Sequence, residues 1–220
     1  MHVRTAALCG AVAALALAGC QQMTSVANSP TAEAKQASYE VPLDGAISAN
    51  LTIGSLVSAV NLEPLDPPSQ LLLAAELGYV GNLTTTAEGA EERIVTITDE
   101  LNSVSYSGLP LAFNITLNRL PAVRLNVSSG SGDVNLNLRD FNVNGLDIST
   151  GSGAVSASLP AGSGLYLVNA LTASGEIEFT LADDVAVQFE SVSTASGDIR
   201  ITAGSGGDIV GTAVNSSSGD

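Results

Sequence analysis

The sequence predicts an all-β protein, a short, single-stranded, right-handed parallel β-solenoid with coils of about 22 residues. Three observations carry this. Ser-Gly pairs place glycines at Gly108, Gly132, Gly153, Gly175, Gly197 and Gly219, at intervals of 24, 21, 22, 22 and 22 residues. The middle four are followed by "DVNLNL", "AVSASL", "EIEFTL" and "DIRIT", each a small or acidic residue and then alternating apolar positions. Strict alternation marks a strand with one buried face. The composition agrees: 22 Gly, no Trp, 4% aromatic and 13% charged residues. Such a chain favours short strands and tight turns over helices.

A single coil cannot bury its own apolar face. Stacked coils set equivalent strands side by side about 4.8 Å apart, with inward residues in columns. Each coil needs a second strand before the next Ser-Gly, and "GLDIST", "LYLVNALTAS" and "AVQFESVSTAS" supply it. Glycine recurs because the corner needs φ > 0 or room for the neighbouring backbone. Parallel crossovers are expected to be right-handed. "PAGSG" (Pro160–Gly164) and "GSGG" (Gly204–Gly207) lie off phase and are assigned to the opposite turn.

Upstream, "AISANLTIGSLVSAVNL" alternates from Ile47 to Ile53, breaks at Gly54 and resumes at Val57–Leu62, which predicts two strands. "EPLDPPSQ" (Glu63–Gln70) is a turn, because its three prolines lack the N–H a sheet requires. "LLLAAELGYVGN" reads equally as a helical turn or a buried strand. Further strands are expected at Arg93–Thr98 and Ala112–Leu117.

The N-terminus stands apart. "MHVRTAALCGAVAALALAGC" has a basic start and an apolar run too short for a membrane span, which needs ~20 residues. It fits a secretory signal. Its end, "LAGC" (Leu17–Cys20), resembles the lipobox of bacterial lipoproteins, which implies cleavage before Cys20 and acylation of that residue. Two or three acyl chains hold a protein firmly at a bilayer surface. "QQMTSVANSPTAEAKQAS" (Gln21–Ser38) is polar and aperiodic and reads as a flexible tether. The expected organisation is a signal peptide over 1–19, lipidated Cys20 and tether over 20–38, an N-terminal β part over 39–107 and the repeat solenoid over 108–220. Gln21 is not the Asp of an inner-membrane retention signal, so an outer membrane is favoured in an organism that has one.

Several function classes are excluded by residue type. Net charge is −15, with seven Lys and Arg scattered along the chain, so the basic footprint of a nucleic-acid binder is missing. The one histidine, His2, lies in the signal. Histidine-based acid–base catalysis, Ser-His triads and His metal sites are therefore not expected. "GSGDV" is no phosphate loop, since neither Lys nor a helix follows and the unit repeats. Asp183–Asp184 reads as a turn rather than a catalytic pair. No catalytic residue and no cofactor are assigned. The residues after each Ser-Gly (Asp133, Ala154, Glu176, Asp198, Asp220) form one edge, and Asp133, Glu176 and Asp198 are its candidate Ca²⁺ ligands. Ala154 interrupts that edge, and a solvated edge that discourages strand pairing is the simpler reading.

"LPLAFNITLNRLPAVRLNVSSGSGDVNLNLRDFNVNGLDISTGSGAVSASLPA" (Leu109–Ala161) resembles the toastrack-type β domains. These include the C-terminal domain of LiaF-type cell-wall-active antibiotic response proteins and the broader "putative adhesin" families. "ANLTIGSLVSAVNL" resembles the same domain's opening strand. The resemblance implies a β-solenoid without catalytic residues. LiaF-type proteins carry transmembrane helices before this domain, whereas this chain has a lipobox. The expected function is a lipid-anchored, non-catalytic module of the bacterial cell envelope, adhesin-like or structural, facing the extracytoplasmic side. Its partners would be the bilayer, through Cys20, and a protein or glycan of the envelope. An envelope-stress sensor or regulatory partner is the alternative, and a Ca²⁺-stabilised, glycan-active β-helix a third. The chain stops at "NSSSGD", where the period calls for another strand, so an uncovered terminal edge is expected.

Overall fold

A computed structural model describes residues 33–100, 106, 108, 110–160, 167–183, 186–204, 208–211 and 214–216. His2, Cys20, Gly219 and Asp220, and with them the signal, the lipidation site and the end of the chain, lie outside the described residues. Seventeen strands are seen and, among the described residues, no helix. They are β1 (Lys35–Pro42), β2 (Ser48–Ser55), β3 (Ala59–Pro64), β4 (Leu71–Tyr79), β5 (Asn82–Glu88), β6 (Glu92–Glu100), β7 (Ala112–Leu117), β8 (Ala122–Ser129) and β9 (Val134–Asn137). Then come β10 (Asn142–Thr150), β11 (Val155–Leu159), β12 (Leu167–Thr172), β13 (Ile177–Leu181), β14 (Ala186–Thr194), β15 (Ile199–Thr202), β16 (Asp208–Gly211) and β17 (Val214–Ser216).

Two sheets face each other. One has the order β1-β4-β7-β3-β9-β11-β13-β15, the other β16-β14-β12-β10-β8-β2-β6-β5, with β17 paired to β14. From β8 to β16 the chain alternates between the sheets, one strand in each, and successive visits pair in parallel. This is the β-solenoid-like architecture the 22-residue period predicts. Inward residues form columns: Val95, Leu51, Leu125, Leu146, Val168 and Phe189 in one sheet, and Leu62, Leu136, Ala157 and Phe179 in the other. Size varies along a column. Phe179 follows Ala157, and its ring meets Phe189 of the facing sheet at 5.4 Å between centroids.

Near the N-terminus the order of strands in space departs from the order in sequence. β2 is inserted between β6 and β8, and β3 between β7 and β9. The chain then leaves β3 through the proline turn and builds an antiparallel end: β4 pairs with both β1 and β7, and β5 pairs with β6. The ambiguous "LLLAAELGY" is strand β4, because Leu73, Ala75 and Leu77 face the core. The segment read as tether ends earlier than expected. Lys35–Ser38 already belong to β1, an edge strand whose mostly exposed side chains make it look like linker in composition. β5, "NLTTTAE", escapes a sequence reading for the same reason.

The glycine corners explain the period. A Cβ at Gly153 would land on the carbonyl of Gly132, one at Gly175 on that of Gly153, and one at Gly197 on that of Gly175. Room for backbone, rather than positive φ, is what these positions demand. Gly132 in turn sits over the Ser58 carbonyl. The position that phase assigns to Gly108 is therefore held by Ser58. Gly108 lies against the Tyr106 ring and is not in the column. The cause is the insertion of β3 beside β9: the preceding coil in sequence is not the neighbouring coil in space.

A second feature of the corner is buried. Ser55, Ser129, Thr150, Thr172 and Thr194 occupy one register position and are all buried. Four of the hydroxyls serve the corner backbone; Ser55 Oγ accepts from Ser58 N at 2.9 Å, whereas Ser129 Oγ is buried without a hydrogen-bond partner among the described residues. Thr150 Oγ1 donates to Gly153 O at 2.7 Å, Thr172 Oγ1 accepts from Gly175 N at 2.9 Å, and Thr194 Oγ1 donates to Gly175 O at 3.1 Å. The amides two positions before the column glycines also bond to the coil below: Gly130 N to Ser55 O at 2.8 Å and Gly151 N to Ser129 O at 3.0 Å. Ala173 and Ala195 replace glycine at that position, and the equivalent bonds lengthen to 3.3 Å.

Replacing Gly175 by Ala should destabilise the fold by about 1–3 kcal/mol, the usual range for overpacking. Gly151→Ala should cost less: its Cβ would also meet a carbonyl, that of Gly130, but two corners already accept a methyl at this position by lengthening the amide bond to 3.3 Å. Urea denaturation of the two variants against wild type checks the order; equal effects would refute the stacking account.

Candidate functional site

The outward positions of the coils make two broad faces. On the sheet holding β3, β7 and β9, Asn114, Asn61 and Asn135 line up across three parallel strands. Asn61 Nδ2 donates to Asn114 Oδ1 at 2.8 Å, and Asn135 Nδ2 donates to Asn61 Oδ1 at 3.0 Å. Beside them Asn137 Nδ2 donates to Glu63 Oε2 at 2.7 Å. An amide carries both donors and an acceptor, so identical side chains on successive coils bond each other and still offer free hydrogens and lone pairs to a ligand. On the opposite sheet Arg124, Asp147, Asn169 and Glu190 make a similar cross-strand chain, with Asn169 Nδ2 donating to Asp147 Oδ1 at 2.8 Å and to Glu190 Oε2 at 3.2 Å. Leu167 and Leu171 flank it, both exposed.

The first face also holds a shallow depression of about 250 Å³ over Gly78 and Ala112, rimmed by Gln36, Glu76 and Asn114. At the opposite turns, Pro67, Pro68 and Leu65 meet Asn118–Leu120 around a space of about 350 Å³. Neither contains a nucleophile beside a base.

The acidic edge is differently arranged from the Ca²⁺ candidate. Asp133 Oδ1 accepts the Ala154 amide at 2.9 Å, so Asp133 ties its own coil to the next. Glu176 pairs with Arg200 at 3.2 Å, and Glu178 lies 3.9 Å from the same guanidinium. Among the described residues no three His, Cys, Asp or Glu side chains converge on a metal position. Asp133, Glu176 and Asp198 therefore do not form the proposed site. Strand spacing repeats the acidic position, but Ala154 separates Asp133 from Glu176 and other partners occupy both carboxylates. Asp183 lies in a turn against Gly204, as the off-phase glycines imply; Asp184 lies outside the described residues.

One buried carboxylate escapes sequence reasoning. Asp99, the penultimate residue of β6, lies next to the Ser/Thr column, is buried, and accepts the Leu56 amide at 2.8 Å and the Ser55 hydroxyl at 3.4 Å. Burial pushes its pKa up, and these bonds oppose the rise without cancelling it. Its signal in the sequence is an acid at the inward phase of "RIVTITD".

The fold and its surfaces define a class: a stacked-coil β protein whose outward strand positions present hydrogen-bonding faces. The model of the N-terminal domain of toast_rack (DUF2154) matches residues 31–164. The chain belongs to that family. It is also similar to the crystal structure of a "putative cell adhesion protein" from Clostridium sporogenes, at 17% identity and a TM-score of 0.61, over 81% of this chain and 99% of that one. At that identity the likeness shows the fold. No curated protein matches the chain.

Replacing Asp99 by Asn should raise stability at neutral pH. A carboxyl with a raised folded pKa contributes stability that is fully present below its unfolded pKa and lost as pH rises through the folded one. The difference between wild type and D99N should therefore widen from acid toward neutral pH. Thermal melts from pH 3 to pH 7 check this, and a difference that narrows with pH would refute it.

Proposed function

We propose that this chain is a lipid-anchored, non-catalytic module of the bacterial cell envelope, adhesin-like in that its sheet faces bind another surface component. One observation carries the reading: cross-strand ladders of amide and carboxylate side chains continue over adjacent coils on both outer faces. Such ladders are rigid, because each member is bonded to the next, and they repeat at the strand spacing. A repetitive polymer or an extended protein segment meets several equivalent groups at once, so weak contacts add. The family assignment and the designation of the similar Clostridium protein support an adhesive role; the lipobox-like "LAGC" supports the anchor. The partner is a glycan or protein of the envelope, and the net charge of −15 favours a neutral or cationic one.

Two experiments test this. Expressed in a bacterium, the full chain should incorporate labelled palmitate and fractionate with membranes, whereas C20A should do neither. Retention of label by C20A would remove the anchor. The triple variant N61A/N114A/N135A should bind envelope material about tenfold or more weakly, since each lost hydrogen bond is worth about 0.5–1.5 kcal/mol. Unchanged binding with an intact fold would remove this face from the proposal, and turnover of the bound material would remove its non-catalytic part.

A further inference from the structure

The two free edges at the antiparallel end differ in kind. β1 is protected. Its register shifts between Val41 and Pro42, Pro42 has no N–H to offer, and Lys35 Nζ folds over to the Gly81 carbonyl at 2.8 Å. These are the usual devices against edge-to-edge pairing. β5 has none of them. It pairs with β6 through seven consecutive residues without a register shift, and contains no proline, lysine or arginine. Among the described residues nothing pairs with its other side.

From this contrast we infer that β5 is a self-association edge, pairing antiparallel with β5 of a second copy of this chain about a two-fold axis at Thr85. The strand is complementary to itself in that register. Asn82 meets Glu88, Leu83 meets Ala87, and Thr84 meets Thr86. The one charged residue, Glu88, faces an amide and stands at the far end from its own counterpart. On the outer face the Thr84 and Thr86 hydroxyls pair across the axis, a favourable cross-strand combination. On the inner face Leu83, which already packs against the core, is extended by the Ala87 methyl of the other copy. The nine-stranded sheet would become continuous through both copies.

One seven-residue strand buries less surface than a standard stable interface. The dimer is therefore weak, forming at high concentration or where copies are held together on one surface. Each copy carries −15, so screening their repulsion with salt should strengthen it. The inference does not depend on the proposed adhesive function.

Sedimentation velocity of the full chain, with Cys9 and Cys20 changed to Ser, tests it. The weight-average mass should rise from one copy toward two with concentration, more so at higher salt. T84K/T86K sets lysine opposite lysine on both sides of the axis, and the rise should be lost. T84K/T86E sets lysine opposite glutamate, and the rise should return at lower concentration than in wild type. Both positions are exposed, and melting curves report that each variant folds. Hydrogen exchange across β5 should slow with concentration in wild type and not in T84K/T86K. A wild-type chain that stays monomeric throughout overturns the inference. So does a dimer that T84K/T86K leaves unchanged.

Discussion

The structure depends on how closely the corner of one coil lies over the corner below it. At Gly132, Gly153, Gly175 and Gly197 the space for a side chain is filled by the carbonyl of the preceding coil. That contact makes the strands arrive in register. It brings the amides of Ser131, Ser152, Ser174 and Ser196 to the carbonyls of Leu56, Gly130, Gly151 and Ala173 at 3.0 to 3.1 Å. A corner that hydrogen-bonds to its neighbour leaves few backbone groups unpaired at a bend, where a sheet would ordinarily lose them. Four members of the buried Ser/Thr column complete the arrangement by bonding corner amides or carbonyls, within one coil at Ser55, Thr150 and Thr172 and across coils at Thr194.

Much of this was legible because a solenoid writes its geometry as a period. Ser-Gly followed by alternating apolar residues identifies β9, β11, β13 and β15, the parallel pairing and the inward columns. Legibility fails where sequence neighbours are not spatial neighbours. Gly108 has the right phase, yet Ser58 occupies the place below Gly132, since β2 and β3 enter the stack between strands that follow them by tens of residues. Periodicity carries no information about such an insertion. The edge strands β1 and β5 fail differently. With one neighbour and little burial they need no strong alternation, so their composition is that of a linker.

The candidate site was legible in residue type and not in arrangement. Asn-rich strands suggest polar outward faces, but only register decides that Asn61, Asn114 and Asn135 meet while Asp133 bonds a backbone amide instead. Charge counting alone does not separate a cation site from a solvated acidic edge, for the same reason. Stacked carboxylates look like a cation site until each partner is known, and Arg200 lies beside both Glu176 and Glu178. Asp99 is easily passed over, because one acid after an apolar alternation looks like a strand's end even when it keeps the inward phase.

The period that makes the corner also shapes what the surface can recognise. Parallel coils place equivalent side chains at the strand spacing of about 4.8 Å, and the inward columns hold each coil against sliding. A substitution that changes one outward residue alters one position of a repeated row and leaves the core untouched. A substitution at a corner disturbs the register of every row that passes over it. The faces are therefore freer to vary in chemistry than the column glycines Gly153, Gly175 and Gly197, where a side chain would meet the backbone of the coil below.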